Sequence, residues 1–388
     1  MAIITLDGLR GYGAFEISQA RYDLTESSDS TGAEATRLLA PPRWRVSAQP
    51  EANMTLADAA WWESLVLRLR GRVNHLAVHD PLRPLPRGTL RGVPTLGSTA
   101  AAGAATLTLA GCLQGNYLLN AISFNAASWV KTGVTLGNGQ ANYYDASDGS
   151  VTADAFLEDV PSGNHNVAQT AAVPAAVSSF TLSVEARAVN RTDLLLQLRE
   201  ATGGTSAAAA FDLATGTAGS VLSGANMTGA SAAIVALGDG WYRCSLTCTK
   251  ANAATSLTAY IIASPDGSTT VYSGAGNHAF ALWGAMLKPQ SFAVPYVRPT
   301  LLNGDWLQAG TGVGTSQLVK CVQDATADDL GVMTVTVEPP LRIEYAGGTV
   351  VTLDRPVAYY KQTSEPRWAY RGGRLVTGFA LDLLESWA

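Results

Sequence analysis

The chain has 388 residues, of which 47% are hydrophobic and only 15% charged, with a formal net charge of −5. This balance fits a folded chain of two to three domains and excludes a disordered one. It also lacks the clustered basic excess that a nucleic-acid partner requires, and no apolar run is long enough to span a bilayer, so neither nucleic-acid binding nor membrane insertion is expected. The opening residues, Met1 to Asp7, do not place a basic segment before an apolar one, so no secretory leader is expected. Cys112, Cys244, Cys248 and Cys321 are too few and too scattered for a disulfide framework. Synthesis in a reducing cytoplasm is the simplest reading.

Residues 2–20 alternate weakly around glycine-rich turns and read as short strands. Arg43–Pro50 is a clearer strand, with Trp44 and Val46 on one face and Arg43, Arg45 and Ser47 on the other. A helix follows. Thr55 serves as its cap with Asp58 three residues on, and Leu56, Ala59, Ala60, Trp62, Leu65, Val66 and Leu69 form one apolar stripe. Arg68, Arg70 and Arg72 suit the negative end of the helix dipole, and Gly71 suits the stop. Asn74–Asp80 reads as a strand. The proline-stiffened loop Pro81–Gly88 cannot continue a ladder, and its Arg83 and Arg87, with Arg91, are expected at subunit contacts. Thr106–Leu109 is a further short strand.

The stretch from Tyr117 to Pro299 has a different composition. It holds 8 Lys and Arg and 11 Asp and Glu, roughly half the charge density of the remainder. Ala, Ser, Thr and Gly take the place of the charges. Short alternating runs fill it, at Ser179–Ala188, Asp193–Arg199, Ala208–Leu213, Trp241–Thr249, Ser256–Ala263 and Ala279–Leu287. Regular short strands punctuated by turn residues predict a jelly-roll-like β-sandwich. Beyond it, strands are predicted at Gln317–Gln323, Gly331–Val337, Thr349–Leu353, Val357–Gln362 and Leu375–Leu384, the last with Leu375, Thr377, Phe379 and Leu381 on one face. The expected fold class is therefore mainly β. A discontinuous frame domain with one amphipathic helix, residues 1–116 and 300–388, carries an inserted sandwich, residues 117–299.

Several residues carry possible chemistry. Trp241 and Trp283 have flat faces of the kind that stack on pyranose rings, or they belong to strand cores. Tyr143 and Tyr144 stand beside a turn, where one of the pair faces outward, and Trp129 lies near the start of the interruption. These five, Trp129, Tyr143, Tyr144, Trp241 and Trp283, are the candidate carbohydrate-binding residues. Asp145, Asp148 and Asp154 suit either calcium or Asx-turns. His75 and His79 fall four apart on a strand with no further ligand nearby, so no metal is assigned. Cys244 and Cys248, on one face of one strand, stand too far apart for a disulfide. Gly310–Thr315 lacks the lysine and helix of a phosphate loop, and no hydrolase or metalloprotease motif appears. No cofactor and no catalytic residue are assigned, and the chain is expected not to be an enzyme.

Within the interruption, Asn125–Lys131, Asp145–Asp154, His165–Gln169, Phe180–Arg187, Phe211–Thr217, Asp239–Ser245, Leu282–Leu287 and Phe292–Val297 resemble the carbohydrate-binding-like modules of phage spikes and fibres. The outer parts are similar to distal tail proteins of long-tailed phages, through Trp62–Gly71, Asp80-Pro81, Pro86–Thr89, Gly304–Gln308, Asp324–Asp328 and Val337–Arg342. The resemblance implies a virion structural protein of the tail tip or baseplate. Its partners would be further copies in a ring, usually six-fold, together with the tail tube and the tail hub or tip proteins. The sandwich would project outward to meet host cell-surface polysaccharide. An adsorption protein whose main role is carbohydrate binding, or a hydrolase of envelope glycans, are the alternatives.

Overall fold

The computed structural model describes residues 2–5, 12–29, 31–51, 54–137, 143–200, 204–251, 254–366, 369–371, 374–376 and 380–387. The fold is mainly β, with one helix among the described residues. Contacts divide the chain into two units. The first comprises Met1–Cys112, Pro299–Ala327 and Val332–Ala388, and the second Leu113–Arg298 and Asp328–Gly331.

The first unit contains two six-stranded sheets. One runs in the order Ile3–Thr5, His75–Val78, Ala358–Gln362, Leu381–Glu385, Glu34–Pro50, Tyr12–Ser27. The helix Leu56–Leu69 supplies Ala59, Trp62, Leu65 and Leu69 to a core shared with Trp44, Val46, Leu76, Tyr360 and Leu383. Thr55 caps it as expected, its hydroxyl accepting from the Asp58 amide at 3.2 Å. Gly71 follows the C-cap, where a stop glycine belongs. Arg70 itself adopts the left-handed cap conformation, at φ 50°, and Gly71 follows at φ 64°. Leu56, placed on the apolar stripe by spacing, is exposed, because it opens the first turn before that face meets the sheet.

The other sheet runs Val351–Thr352, Trp306–Ala309, Gln317–Cys321, Met333–Glu338, Thr106–Ala110, Thr95–Leu96, over a core of Leu107, Leu109, Leu307, Val319, Val335 and their neighbours. Trp306 ties the two cores together. Its ring meets Trp44 edge-on at 4.8 Å, and its indole N–H donates to Asp80 Oδ2 at 3.0 Å. The proline-rich loop is anchored by the buried Asp305, whose carboxylate accepts from the amides of Arg87 at 2.8 Å, Gly88 at 3.1 Å and Leu302 at 2.8 Å. Arg83 pairs with Asp80 at 2.9 Å, Arg87 donates to the Asn303 carbonyl, and Arg91 donates to the Gly88 and Leu90 carbonyls.

The strands Tyr12–Ser27 and Glu34–Pro50 form a hairpin far longer than the sheet that carries it. Of the strand Glu34–Pro50, only Arg45–Ala48 pairs with the neighbouring strand Leu381–Glu385. Beyond that point Asp23–Ser27 and Glu34–Leu39 are exposed throughout, including Leu24, Leu38 and Leu39. The outer half of this arm escapes a pattern search because neither face is buried, so no alternation marks it.

The second unit is built from two antiparallel sheets over one core. One has the order Met227–Gly238, Trp241–Lys250, Ser179–Ala188, His278–Lys288, Ala153–Glu158, Val134–Leu136, with Tyr143–Tyr144 also on Ala153–Glu158. The other has the order Thr217–Leu222, Ser206–Asp212, Asp193–Glu200, Ser256–Ser264, Asn166–Ala172, Val130–Thr132. Phe180, Leu182, Val184, Leu194, Leu196, Leu246, Ile261 and Phe280 fill the space between them. Each run predicted inside the interruption is a strand here. Several further strands lie outside those runs: Thr217–Leu222 and Met227–Gly238 are sheet edges with mostly exposed side chains, whereas Ala153–Glu158 and Asn166–Ala172 are mostly buried. All four cysteines are free and buried, and burial lifts the Cys248 thiol to about 12.

The chain enters and leaves this unit side by side. The Tyr117 amide donates to the Leu287 carbonyl at 2.9 Å, and the Asn116 side chain accepts from the Leu287 amide at 2.9 Å while donating to the Ala285 carbonyl at 3.1 Å.

Candidate functional site

The outer face of the seven-stranded sheet carries the most concentrated chemistry. On the strands Ser179–Ala188 and Trp241–Lys250, the even-numbered residues point into the core and the odd-numbered ones away from it. Register then sets Arg187 opposite Trp241, Glu185 opposite Arg243, Ser183 opposite Ser245 and Thr181 opposite Thr247 on the outward face. Residues directly opposite in a ladder share a face, so this row is dictated by the pairing alone.

At one end of the row lies a cleft of about 560 Å³, lined by Asp145, Ser147, Asp148, Arg187, Asp239 and Trp241 among others. The Arg187 guanidinium lies 5.2 Å from the Tyr144 ring centre and 5.3 Å from that of Trp241. Two aromatic faces therefore orient it. Among the described residues, no hydrogen bond or ion pair uses its N–H groups, and none uses the carboxylates of Asp145 and Asp239. Asp148 accepts from the Ser150 amide at 2.9 Å and hydroxyl at 2.6 Å, an Asx-turn that shapes the loop.

The five aromatic candidates fall into different places. Trp241 and Trp283 are 2% and 3% exposed. With Ile122, Ala146, Ala153 and Ala281 they form a small second core, against which Tyr144 packs. The Trp241 indole N–H donates to the Asp145 carbonyl at 3.1 Å, and that of Trp283 donates to Thr152 Oγ1 at 3.0 Å. Their faces are covered, so neither is a stacking platform. They fix the cleft wall instead. Trp129, 1% exposed, packs on Phe124 in the main core and donates to the Asn120 carbonyl at 3.0 Å. Tyr144 is half-buried, its hydroxyl 3.1 Å from His278 Nδ1. The backbone of Tyr143 pairs with Asp154, and its side chain lies outside the described residues.

The three aspartates weighed for calcium do not converge. Asp154 is buried and accepts from the Phe124 amide at 2.6 Å, away from the Asp148 turn. No group of three or more His, Cys, Asp or Glu suited to a metal occurs among the described residues. His75 is buried, with Nε2 3.2 Å from Ser386 Oγ.

Burial pushes the Asp154 carboxyl up to about 6, with the nearby Asp329 carboxylate adding to the rise. Backbone N–H bonds from Phe124 and Asn125 and the charge of Lys131 oppose it. A folded-state value above the ordinary one means the folded protein holds this proton more tightly than the unfolded chain does. The stability this adds is complete below the ordinary carboxyl range and is lost as pH rises through 6. Holding this carboxyl at about 6 in place of its ordinary value corresponds to about 3 kcal/mol. Asp154→Asn is expected to flatten this part of the profile. Denaturant titrations at pH 4.5 and pH 8 should show a smaller difference for the variant than for the wild type, and equal differences would refute the assignment.

Arg187 and Asp239 were missed at the level of sequence, and Asp145 and Asp148 were singled out there only for calcium or Asx-turns. Their significance comes from cross-strand register and from a loop meeting a strand far away in the chain. The available signal was the odd-numbered position of Arg187, on the same face as Glu185, in a strand of otherwise apolar and hydroxyl-bearing residues.

No protein-family model matches the chain, and no curated protein matches it. Among solved structures, the enzymatically active domain of tailspike protein 4 from bacteriophage CBA120 is similar over 45% of this chain, with 16% identity and a TM-score of 0.29. The match spans 21% of that tailspike chain.

Proposed function

We propose that this chain is a structural protein of a phage tail tip, of the distal-tail type, and that it assembles into a ring through its hairpin arm. The carrying observation is that arm. Its strand Tyr12–Ser27 is a sheet edge, and Glu34–Arg43 extends past the only strand that, among the described residues, pairs with its other side. Open backbone edges and exposed leucines invite strand addition by a neighbour. Repetition of such a head-to-tail contact closes a ring when the rotation permits. The sequence likenesses at Trp62–Gly71 and Gly304–Gln308 point the same way. The test is the assembly state of the purified chain. Negative-stain images and light scattering are expected to give closed rings, six-fold by the resemblance, and a monomer at all concentrations would overturn the reading.

The cleft favours a second role, adhesion to host glycans. Its unspent groups are one guanidinium and neighbouring carboxylates, which donate to and accept from hydroxyls in complementary fashion. Three aspartates against one arginine disfavour an acidic sugar, so the ligand class is a neutral carbohydrate. Presentation of many weak sites on one ring would multiply their effect through high local concentration.

A further inference from the structure

The outward face of the seven-stranded sheet has a second hollow, of about 320 Å³, lined by Ser231, Val235, Arg243, Ser245, Thr247 and Phe292 among others. It lies on the same row of residues as the cleft. Ser231 is opposite Thr247, Ala233 opposite Ser245 and Val235 opposite Arg243, all on the face that carries Trp241. From Trp241 to Thr247 the strand covers about 20 Å at the ordinary rise. The floor between the two hollows is the Glu185–Arg243 ion pair, closed at 2.7 Å.

One side of the second hollow is formed by the segment that follows the strand His278–Lys288. Thr181 Oγ1 donates to the Gln290 carbonyl at 2.8 Å, and the Gln290 side chain donates to the Phe292 carbonyl at 2.6 Å. Farther along, Tyr296 packs over Gly284, where an added Cβ would stand 2.9 Å from the Tyr296 Cβ. The segment is thus pinned to the sheet face, and it holds out Phe292, 61% exposed. A held, exposed aromatic ring meets the condition for a stacking platform, which the buried tryptophans do not.

We infer that the two hollows form one groove, and that the ligand is an internal stretch of a linear neutral polysaccharide running from the Arg187 cleft to Phe292. This deepens the adhesion reading and rests on it. A single terminal sugar would fill only the cleft and leave Phe292 without a role.

The test uses the full chain on an array of linear glucose, galactose, mannose and N-acetylglucosamine oligomers, from single sugars to octamers, with uronic-acid oligomers alongside. Neutral chains long enough to span both hollows are expected to bind about tenfold more tightly than single sugars, as one added stacking contact allows. Phe292→Ala should lose that gain and keep the short-ligand signal, whereas Arg187→Met should lose binding at every length. Phe292 is exposed, so its removal leaves the fold intact, which circular dichroism verifies. Binding independent of length, or unchanged in Phe292→Ala, would overturn the groove while leaving the cleft in place. Absence of binding to every sugar by the wild type would overturn the adhesion reading and the groove with it.

Discussion

Leu38→Glu with Leu39→Glu is expected to leave the chain folded and to abolish its assembly. The two side chains are 53% and 61% exposed, and Leu39 is the extra residue of a β-bulge between the pairs Tyr22–Ala40 and Asp23–Leu38. Leu24, on the partner strand, is 44% exposed. Fully burying a leucine contributes about 1.5–3 kcal/mol, so the arm can bring several kcal/mol to a neighbour's surface. Glutamates at two of these positions remove that gain and set charges against an interface that must exclude water. A loss of about 4 kcal/mol or more weakens each contact at least about a thousandfold. Size-exclusion chromatography with light scattering should then show monomers at concentrations where the wild type forms rings. The unfolding profile should not move, because these leucines touch none of the cores. Rings that persist in the double variant would remove the arm from the assembly mechanism.

Glu185→Leu is expected to destabilise the sandwich by about 3–5 kcal/mol, because it strands a buried guanidinium. The Glu185 and Arg243 side chains are 3% and 14% exposed. Arg243 donates to one carboxylate oxygen through Nη2 at 2.7 Å and Nε at 3.1 Å, and Ser147 donates to the other oxygen. Arg243→Leu removes the partner instead and leaves a buried carboxylate, with a similar cost. The double variant should cost clearly less than the sum, since two apolar side chains can share the space that an ion pair held. Denaturant unfolding followed through the sandwich tryptophans measures all three. Additive costs would show that the pair is not coupled. Ser147 belongs to the cleft loop, so loss of Glu185 should also weaken glycan binding in molecules that remain folded.

Much of this architecture is visible in the residue pattern, and two opposite conditions hide the rest: strands exposed on both faces, and strands such as Ala153–Glu158 and Asn166–Ala172 that are buried on both. The strands Ser179–Ala188, Asp193–Glu200 and Ser256–Ser264 alternate because one face of each meets the core. The helix is legible through Thr55 and the Ala59, Trp62, Leu65, Leu69 spacing for the same reason. Thr217–Leu222 and the outer arm bury neither face, so nothing in their composition separates them from loops. The predicted run Leu375–Leu384 divides into Arg374–Val376 and Leu381–Glu385, with Thr377 and Phe379 outside the described residues. The aromatic candidates show the limit for sites. Tryptophan is both a good core residue and a good sugar platform, and only burial separates the roles. Trp241 and Trp283 are walls, while Phe292, in a run of small residues beside the sheet, is the exposed ring.

The pairing of Arg45–Ala48 with Leu381–Leu384 also orders events on the ribosome. These partners lie more than three hundred residues apart, which at bacterial elongation rates separates their emergence by roughly 20–60 s. Every strand of the sandwich lies between Val130 and Lys288 and can pair well before then. Trp44, Val46 and the apolar stripe of the helix must wait, exposed, for the final strand. A nascent chain arrested just past Gly331 would display a finished sandwich on an unfinished frame. Chaperone binding during synthesis is therefore expected to centre on the first seventy residues, ahead of the sandwich.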